Sequence, residues 1–281
     1  MSLKEKLIEK LKGRIPSQLL PLLPSRYPII GNVALIRLKE QLLKYEKEIG
    51  EAVLEVLNVR AVWRFAGKTE GVIRTPRIIH LAGDPNPIVI HKELGTLFKL
   101  DISKLLFSPG NAGEREKLTK IISKDDVVLD LFCCCGNLSM PVAVNVKPKI
   151  IVGVEINPLA FKYLLETIRL NKVSHIFMPI NMDNHYWSEE NFATQVLLGF
   201  LPRPDEEQLR IGIRSILWDG GTLHYHVALR EEELMEEREY LMKTVKREGY
   251  KIINMSIEKI KGIAPRINHY VFRIKLRRSK I

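Results

Sequence analysis

The chain has 281 residues, of which 46% are hydrophobic, and this length can bury a large core in one or two domains. No apolar run reaches the roughly 20 residues that a membrane-spanning helix needs, and the first residues are too charged for a secretory signal, so we expect a cytoplasmic protein without a membrane partner. The formal net charge of +11 favours a polyanionic partner such as a nucleic acid, although proteins of high-temperature organisms carry charged surfaces for other reasons.

The three cysteines are consecutive, at positions 133, 134 and 135. Adjacent cysteines lack the spacing of a zinc site, and a disulfide framework needs cysteines elsewhere in the chain. We therefore expect no metal and interpret the three as small apolar thiols in a buried loop. A reactive thiol is the alternative.

The first hundred residues combine helical and strand-like patterns. Leucines at positions 3, 7 and 11 predict a helix over residues 1–20, which Pro21 and Pro24 end. Residues 27–37 predict a strand, residues 39–57 a helix, and residues 59–106 a set of short strands separated by turn residues. We therefore expect a smaller α+β domain over residues 1–112.

Basic residues alternate with apolar ones in the strand-rich part of this domain. They are Arg60, Arg64, Lys68, Arg74 and Arg77. This alternation fits a sheet with one basic face, and it fits a merely solvated face equally well.

After residue 112 strands and helices alternate. Continuous apolar runs at residues 126–132 and 150–155 predict strands that are buried on both sides. Helices are predicted at residues 138–146, 158–171 and 231–248, further strands at 175–179, 194–198 and 221–227, and closing strands at 250–260 and 269–276. This alternation predicts an α/β fold with a doubly wound parallel sheet over residues 113–281.

Three predicted strand ends carry residues that suit an adenosine-shaped ligand. In open α/β sheets the ligand binds beyond the carboxyl ends of the strands. A turn begins at Asp130, and the helix after it presents backbone amides. Glu155 ends the next strand, where a carboxylate can accept hydrogen bonds from both ribose hydroxyls. Asp183 follows the third strand and can accept from an adenine amine, with a simple Asx turn as the alternative.

Seven short motifs lie between residues 91 and 226: HKELG at 91–95, KLD at 99–101, FSPGN at 107–111 followed by ER at 114–115, DLF at 130–132, GNLS at 136–139, DN at 183–184 and GTLHYH at 221–226. Their residues and spacing resemble the archaeal and eukaryotic enzymes that act on the guanosine next to the anticodon of tRNA. The likeness covers most of the chain beyond residue 30. It implies a class I S-adenosylmethionine-dependent, Rossmann-like catalytic domain, with an N-terminal domain that helps to position RNA and cofactor.

This family has two branches, and two positions separate them. One branch methylates N1 of the guanine; the other, in wybutosine synthesis, transfers the 3-amino-3-carboxypropyl group of S-adenosylmethionine to a tricyclic base derived from it. At residues 107–110 this chain has FSPG, where the methyltransferases have a motif that resembles FSPR. At residues 198–200 it has LGF, where the methyltransferases carry an Asn-containing element. Both positions, and the LHYH ending, resemble the aminocarboxypropyl branch.

The resemblance also implies roles for individual residues. Ser108 and Arg115 would hold the methionine portion of the cofactor, with Arg115 a charge-assisted partner for its carboxylate. The alternatives are a helix cap at Ser108 and a surface position for Arg115. The remaining cofactor contacts would be Asp130, Phe132, Gly136, Glu155 for the ribose, and Asp183 with Asn184 for the adenine. Asn111, His224 and His226 would contact the substrate base or tRNA, although structural histidines explain the last two equally well. No general base is assigned.

The chain departs from the family pattern at two places. Cys134 stands where the family has a glycine, so a positive φ at this position would be strained. Thr194 and Gln195 stand where the family tends to have Asp-Arg. These departures leave open a diverged tRNA-binding protein without catalysis. The other branch of the family, a tRNA (guanine-37-N1) methyltransferase, also stays open.

Overall fold

The computed structural model describes residues 2–67, 71 and 74–279. The chain divides into two compact units, one with residues 1–92 and 98–109 and the other with residues 93–97 and 110–281. No helix in these described ranges is long and apolar enough to cross a membrane.

The N-terminal unit packs two α-helices with a small sheet. Helix α1 spans Leu3–Leu11 and helix α2 spans Glu46–Leu57. Strands β1 (Ile29–Ile30), β2 (Val33–Ile36), β3 (Ala61–Phe65) and β4 (Ile78–Gly83) form one sheet in that order, and only β2 and β3 are parallel. Strands β5 (Ile88–Glu93) and β6 (Thr96–Asp101) form a second, two-stranded sheet. The core joins one face of each helix to the larger sheet and includes Leu7, Leu11, Ile49, Val53 and Val62.

Two predictions for this unit are wrong in their extent. The helix predicted over residues 1–20 ends at Leu11, because Gly13 adopts a φ of 82° and Pro16 follows; Ser17–Leu22 then forms a separate 3-10 helix. The strand predicted over residues 27–37 is a hairpin of β1 and β2 that turns at Gly31. Gly31 has a φ of 62°, and a Cβ there would be crowded at 3.0 Å from the carbonyl oxygen of Ile90, so both backbone and space favour glycine.

The basic residues of this unit do not form a bare cationic face. Arg60 forms an ion pair with Asp84 at 2.9 Å, and Arg64 forms one with Glu46. Lys68 lies outside the described residues. At these two arginines the charge is already compensated by a carboxylate.

The C-terminal unit is a seven-stranded sheet with connecting helices. The helices are α3 (Ala112–Ile121), α4 (Ser139–Asn145), α5 (Pro158–Asn171), α6 (Glu206–Ser215) and α7 (Leu234–Arg247). The strands are β7 (Val127–Asp130), β8 (Ile150–Glu155), β9 (Phe177–Asn181), β10 (Gln195–Leu198), β11 (Gly221–Leu229), β12 (Tyr250–Ala264) and β13 (Ile267–Arg278). Their order is β12-β13-β11-β10-β7-β8-β9.

The predicted α/β fold with a parallel sheet is confirmed. Strands β7 to β11 pair in parallel. The helix predicted at residues 158–171 is α5, which follows the N-cap Asn157 and is ended by the C-cap Lys172 in the left-handed conformation. The closing strands run antiparallel to their neighbours and form a long hairpin. Two helices were not predicted, α3 and α6, although Asp205 and Gln208 form a capping box at the start of α6.

Candidate active site

Three predicted site residues, Asp130, Glu155 and Asp183, lie at or just after the carboxyl ends of neighbouring strands. β7, β8 and β9 end at Asp130, Glu155 and Asn181, and these strands are neighbours. Strands β8 and β9 lie on one side of β7, whereas β10 and β11 lie on the other. The strand order therefore reverses next to β7, and a crevice for a ligand forms at such a switch point.

Asp130 organises the turn after β7. Its carboxylate is fully buried and accepts hydrogen bonds from the backbone N–H of Phe132 at 3.2 Å and from the hydroxyl of Ser139 at 2.7 Å. Burial raises the pKa of Asp130 to about 6, and the two hydrogen bonds oppose that rise. Asp130 thus ties the turn to the start of α4, and its direct contact with a cofactor stays a prediction.

The cysteine turn has the backbone strain expected from the sequence. Cys134 adopts a φ of 52° and Gly136 a φ of 90°. A Cβ at Gly136 would lie 2.8 Å from the Cβ of Met140, so only glycine fits there without displacement. All three cysteines are free, and burial raises the pKa of the Cys133 thiol. Cys133 and Cys135 are buried as predicted, whereas Cys134 is partly exposed. The buried thiols contact the polar side chains of Ser139 and Asn137.

Glu155 is held in place by two backbone amides. Its Oε2 accepts a hydrogen bond from the N–H of Cys134 at 2.7 Å, and its Oε1 accepts one from the N–H of Asn157 at 2.7 Å. Burial raises the pKa of Glu155, and both amide hydrogen bonds oppose this effect. Each carboxylate oxygen can accept a second hydrogen bond, so the geometry suits a diol ligand such as ribose.

Asp183 and Asn184 have different environments. Asp183 caps a short 3-10 helix through the backbone N–H of His185, and its side chain is 35% exposed. The buried Asn184 amide donates to the carbonyl of Leu131 at 2.6 Å and accepts from Gln208 at 3.0 Å. Asp183 can therefore contact a ligand directly, whereas the amide of Asn184 ties β7 to α6.

Phe132, a predicted cofactor contact, forms an aromatic pair at the switch point with Phe200, a residue to which the sequence assigned no role. The rings of Phe132 and Phe200 stack with centroids 5.1 Å apart. Phe132 follows β7 and Phe200 follows β10, so the pair joins the ends of two adjacent strands. The sequence feature that could have identified Phe200 is its position two residues beyond the end of a predicted strand. A stacked pair here offers an apolar surface to a planar ring.

Arg115 is buried in an ion pair. Its guanidinium is 1% exposed and makes a two-pronged contact with the carboxylate of Glu93, in which Nη2 lies 2.8 Å from Oε2. Ser108 precedes a 3-10 helix at Pro109–Asn111, and the buried Oδ1 of Asn111 accepts no hydrogen bond from the described part of the chain. The roles of Ser108, Arg115 and Asn111 stay predictions.

The two histidines of the LHYH motif are buried between strands. His224 contacts Gln195 at 2.9 Å, and the Nδ1 of His226 lies 2.9 Å from the Nε2 of His269. Burial lowers the pKa of His224 to about 3 and that of His226 well below its usual value. Both are neutral at physiological pH. Their hydrogen bonds to other side chains favour the structural alternative over direct contact with RNA.

Glu114 is a functional candidate that sequence reasoning missed. Its side chain is fully buried, forms an ion pair with Arg273 and lies 3.7 Å from the Nε2 of His226. Burial raises the pKa of Glu114 to about 7, although Arg273 acts in the opposite direction. A surface position for Arg115 is ruled out as well, because both Glu114 and Arg115 are buried in the folded chain.

Cavity size does not locate the site. One cavity of about 620 Å³ is lined by strands of the N-terminal unit, including Ile29, Ile88 and Arg60. A second, of about 220 Å³, is lined by His185, Trp187 and part of α6. Neither is lined by Asp130, Glu155 or Asp183. Strand order is the stronger guide, because open α/β sheets bind ligands beyond the carboxyl ends of the strands at the switch point.

Comparisons with known proteins agree with this geometry. A family model described as "TRM5/TYW2 methyltransferase domain" matches residues 89–253, and one described as "TYW2 N-terminal domain" matches residues 7–86. The chain is 36% identical to a tRNA(Phe) (4-demethylwyosine(37)-C(7)) aminocarboxypropyltransferase of Pyrococcus horikoshii, over 99% of this chain and 98% of that protein.

Two further relatives represent both branches. The tRNA (guanine(37)-N(1))-methyltransferase Trm5b of Pyrococcus abyssi is 40% identical, over 75% of this chain and 62% of that protein. The crystal structure of P. horikoshii TYW2 in complex with MeSAdo superimposes with a TM-score of 0.84 at 34% identity, and the match covers 98% of this chain and 100% of that one. The chain belongs to the family that shares the TRM5/TYW2 methyltransferase domain.

Proposed function

We propose that this chain transfers the 3-amino-3-carboxypropyl group of S-adenosylmethionine to the tricyclic wyosine-precursor base at position 37 of tRNA(Phe), with release of methylthioadenosine. One observation carries the proposal: a relative named for this activity matches nearly end to end, over 99% of this chain and 98% of its own length. The match to the TYW2 N-terminal domain supports the same branch. The methyltransferase Trm5b matches over only 62% of its length.

The residues at the carboxyl edge fit the proposed cofactor. Glu155 keeps one hydrogen-bonding position on each oxygen beside its two amide contacts, which suits the two ribose hydroxyls. Asp183 is partly exposed and can accept from the adenine amine, while the stacked rings of Phe132 and Phe200 offer a surface to a planar ring. We propose these contacts, with Gly136 allowing the turn to pass close to the ligand.

The methionine portion is the part that decides which group is transferred. S-adenosylmethionine supplies an electrophilic carbon next to its sulfonium, and the atom that reacts is the one held in line with the base at about 3 to 3.5 Å. We propose that Ser108 and Arg115 orient this portion. Glu93 makes a two-pronged contact with the Arg115 guanidinium. Gly110 stands where the methyltransferases have an arginine.

The wider proposal concerns the domains and the cell compartment. We propose that residues 1–112 help to position RNA and cofactor and that residues 113–281 catalyse the transfer. Three free cysteines are consistent with a reducing compartment such as the cytoplasm, where we place the reaction.

The test is an incubation with S-adenosylmethionine and tRNA(Phe) that bears the tricyclic precursor. We expect methylthioadenosine as the nucleoside product, together with a mass increase of the tRNA that matches the aminocarboxypropyl group. Formation of S-adenosylhomocysteine would instead support the guanine-N1 methyltransferase. Calorimetry that detects no binding of S-adenosylmethionine would support the non-catalytic tRNA-binding alternative.

A further inference from the structure

The β12–β13 hairpin carries much of the excess positive charge of the chain. Residues 250–278 contain eight Lys and Arg side chains and a single carboxylate, Glu258, while the formal net charge of the whole chain is +11. Strand β12 forms one edge of the seven-stranded sheet. The hairpin is therefore an accessible, strongly basic ribbon at one side of the C-terminal unit.

Three of these cations lie together on one face of the ribbon. Lys251 pairs with Arg277 across the two strands, and Lys275 lies two residues before Arg277 on β13. Directly opposed residues point to the same side of an antiparallel pair, as do residues two apart on one strand. We call Lys251, Lys275 and Arg277 the basic patch. All three side chains are exposed.

No carboxylate compensates the basic patch within the described part of the chain, since none lies within ion-pair distance of these three side chains. The nearby Glu258 contacts Lys117 and Arg273 instead. Like charges that face each other directly across two strands destabilise a sheet. The pairing of Lys251 with Arg277 therefore destabilises the sheet locally, and a bound anionic ligand would remove this repulsion.

Several arginines elsewhere in the C-terminal unit have carboxylate or aromatic partners. Arg210 and Arg214 of α6 each contact Glu207 and Glu248, and Arg247 of α7 contacts Glu206. Arg278, on the opposite side of the ribbon from Arg277, stacks over Trp218 at 4.7 Å. The absence of such partners at the basic patch distinguishes it from these compensated arginines.

The ribbon leads from this patch to the edge that holds the candidate active site. Leu276 pairs with Gly221 at the start of β11, whereas Asn268 pairs with Leu229 at its end. At about 3.3 Å per residue, the stretch from Asn268 to Arg277 spans roughly 30 Å. The basic patch thus lies at the amino edge of the sheet, and the hairpin tip lies at the carboxyl edge.

We propose that the basic patch of Lys251, Lys275 and Arg277 binds the phosphate backbone of the tRNA substrate and aligns it along the β12–β13 ribbon. This inference rests on the proposed function, which supplies the tRNA. Phosphate contacts fix the orientation of a nucleic acid without reading its sequence, and three unpaired cations on one face supply such contacts. Because the patch lies at the amino edge of the sheet and the candidate active site at the carboxyl edge, the patch can engage tRNA and leave the cofactor untouched.

The test compares two triple variants that remove the same charge. The first is Lys251→Gln, Lys275→Gln and Arg277→Gln; the control is Arg238→Gln, Lys243→Gln and Lys246→Gln, at exposed positions of α7. We measure the affinity for a tRNA(Phe) transcript by fluorescence anisotropy between low and moderate salt. The patch variant is expected to bind about tenfold more weakly or worse, and its salt slope should fall by roughly 2 to 3 because each phosphate contact contributes about one.

Two further measurements separate docking from folding and from catalysis. The affinity for S-adenosylmethionine should be unchanged in both variants, and a Lys251→Arg, Lys275→Arg pair should keep the wild-type tRNA affinity. Unchanged tRNA binding by the patch variant would overturn the inference. The three cations would then serve only to prevent the sheet edge from pairing with other strands. An equal loss in the control variant would overturn it as well, since net charge alone would then explain binding.

The outcome also distinguishes this inference from the proposed function. Wild-type protein that binds tRNA through the patch but releases no methylthioadenosine would contradict the proposed reaction and support the docking surface. Wild-type protein that releases methylthioadenosine while the patch variant keeps full tRNA affinity would support the reaction and contradict the docking surface.

Discussion

The backbone N–H of Cys134 donates a hydrogen bond to Oε2 of Glu155 at 2.7 Å. This contact joins the turn after β7 to the end of β8, so the position of the predicted ribose carboxylate depends on the backbone of the cysteine turn. That turn is itself held in a positive-φ conformation at Cys134. Strain in the turn and the geometry of the candidate site are therefore coupled.

Replacing Glu155 by alanine should weaken the binding of S-adenosylmethionine by about 1 to 3 kcal/mol, because ribose hydroxyls would lose their buried acceptor. Isothermal titration calorimetry measures the effect directly. Glu189→Ala, at an exposed carboxylate, is the matched control and should leave the affinity unchanged. Wild-type affinity in the Glu155 variant would remove the ribose assignment.

Cys134→Gly and Cys134→Ala should differ in stability. Glycine adopts a φ near 52° freely, whereas alanine keeps the steric conflict of a Cβ in the left-handed region. The glycine variant should therefore be more stable than the alanine variant by about 1 kcal/mol. Denaturant unfolding followed by circular dichroism gives both free energies of unfolding. Equal values would show that the turn relaxes around the side chain.

Arg115→Met should lower the free energy of unfolding by about 3 to 5 kcal/mol, because it removes the ion pair of the Glu93 carboxylate, whose side chain is only 13% exposed. Adding Glu93→Leu should recover much of this loss, since an apolar pair replaces a buried ion pair. Denaturant unfolding of the single and double variants measures both effects.

The double variant also tests the binding role of Arg115. If its guanidinium holds the methionine carboxylate, the affinity for S-adenosylmethionine should fall while that for methylthioadenosine, which lacks the carboxylate, stays constant. Parallel titrations with the two ligands measure this difference. Equal effects on both ligands would assign Arg115 a purely structural role.

His224→Gln should reduce the loss of stability in acid. Burial lowers the pKa of folded His224 to about 3 from 6.5, so the unfolded chain binds one more proton between these values. The stability from neutral His224 is present above pH 6.5 and is lost as the pH falls toward 3. Buried Glu114 and Asp130 act with the opposite sign, because burial raises their pKa values to about 7 and about 6.

Glu114 and Asp130 are present in both proteins, so the difference between variant and wild type reports the contribution of His224 alone. Between pH 4 and 6, the slope of unfolding free energy against pH should be smaller in His224→Gln by up to about 1.4 kcal/mol per pH unit, the value for one proton. Identical slopes in the two proteins would show that His224 takes up its proton in the folded state.

The amino-acid sequence by itself determined the architecture and the edge of the sheet where ligands bind. Apolar runs and helical spacing are local patterns, and they identified the strands that end at Asp130 and Glu155 and the helix α5 in full. Sequence also identified the family, since the motifs and their spacing are properties of the linear chain. The strained φ of Cys134 followed from a non-glycine residue at a turn position.

Tertiary structure alone decided which of these side chains are open to a ligand. Glu93 lies 22 residues before Arg115, Asn184 reaches the carbonyl of Leu131, and His226 meets His269 across two strands. Such partners depend on strand register and helix packing, which bring together residues that no local periodicity connects. Register likewise set Lys251 beside Arg277, because only the pairing of β12 with β13 makes two separated cations neighbours.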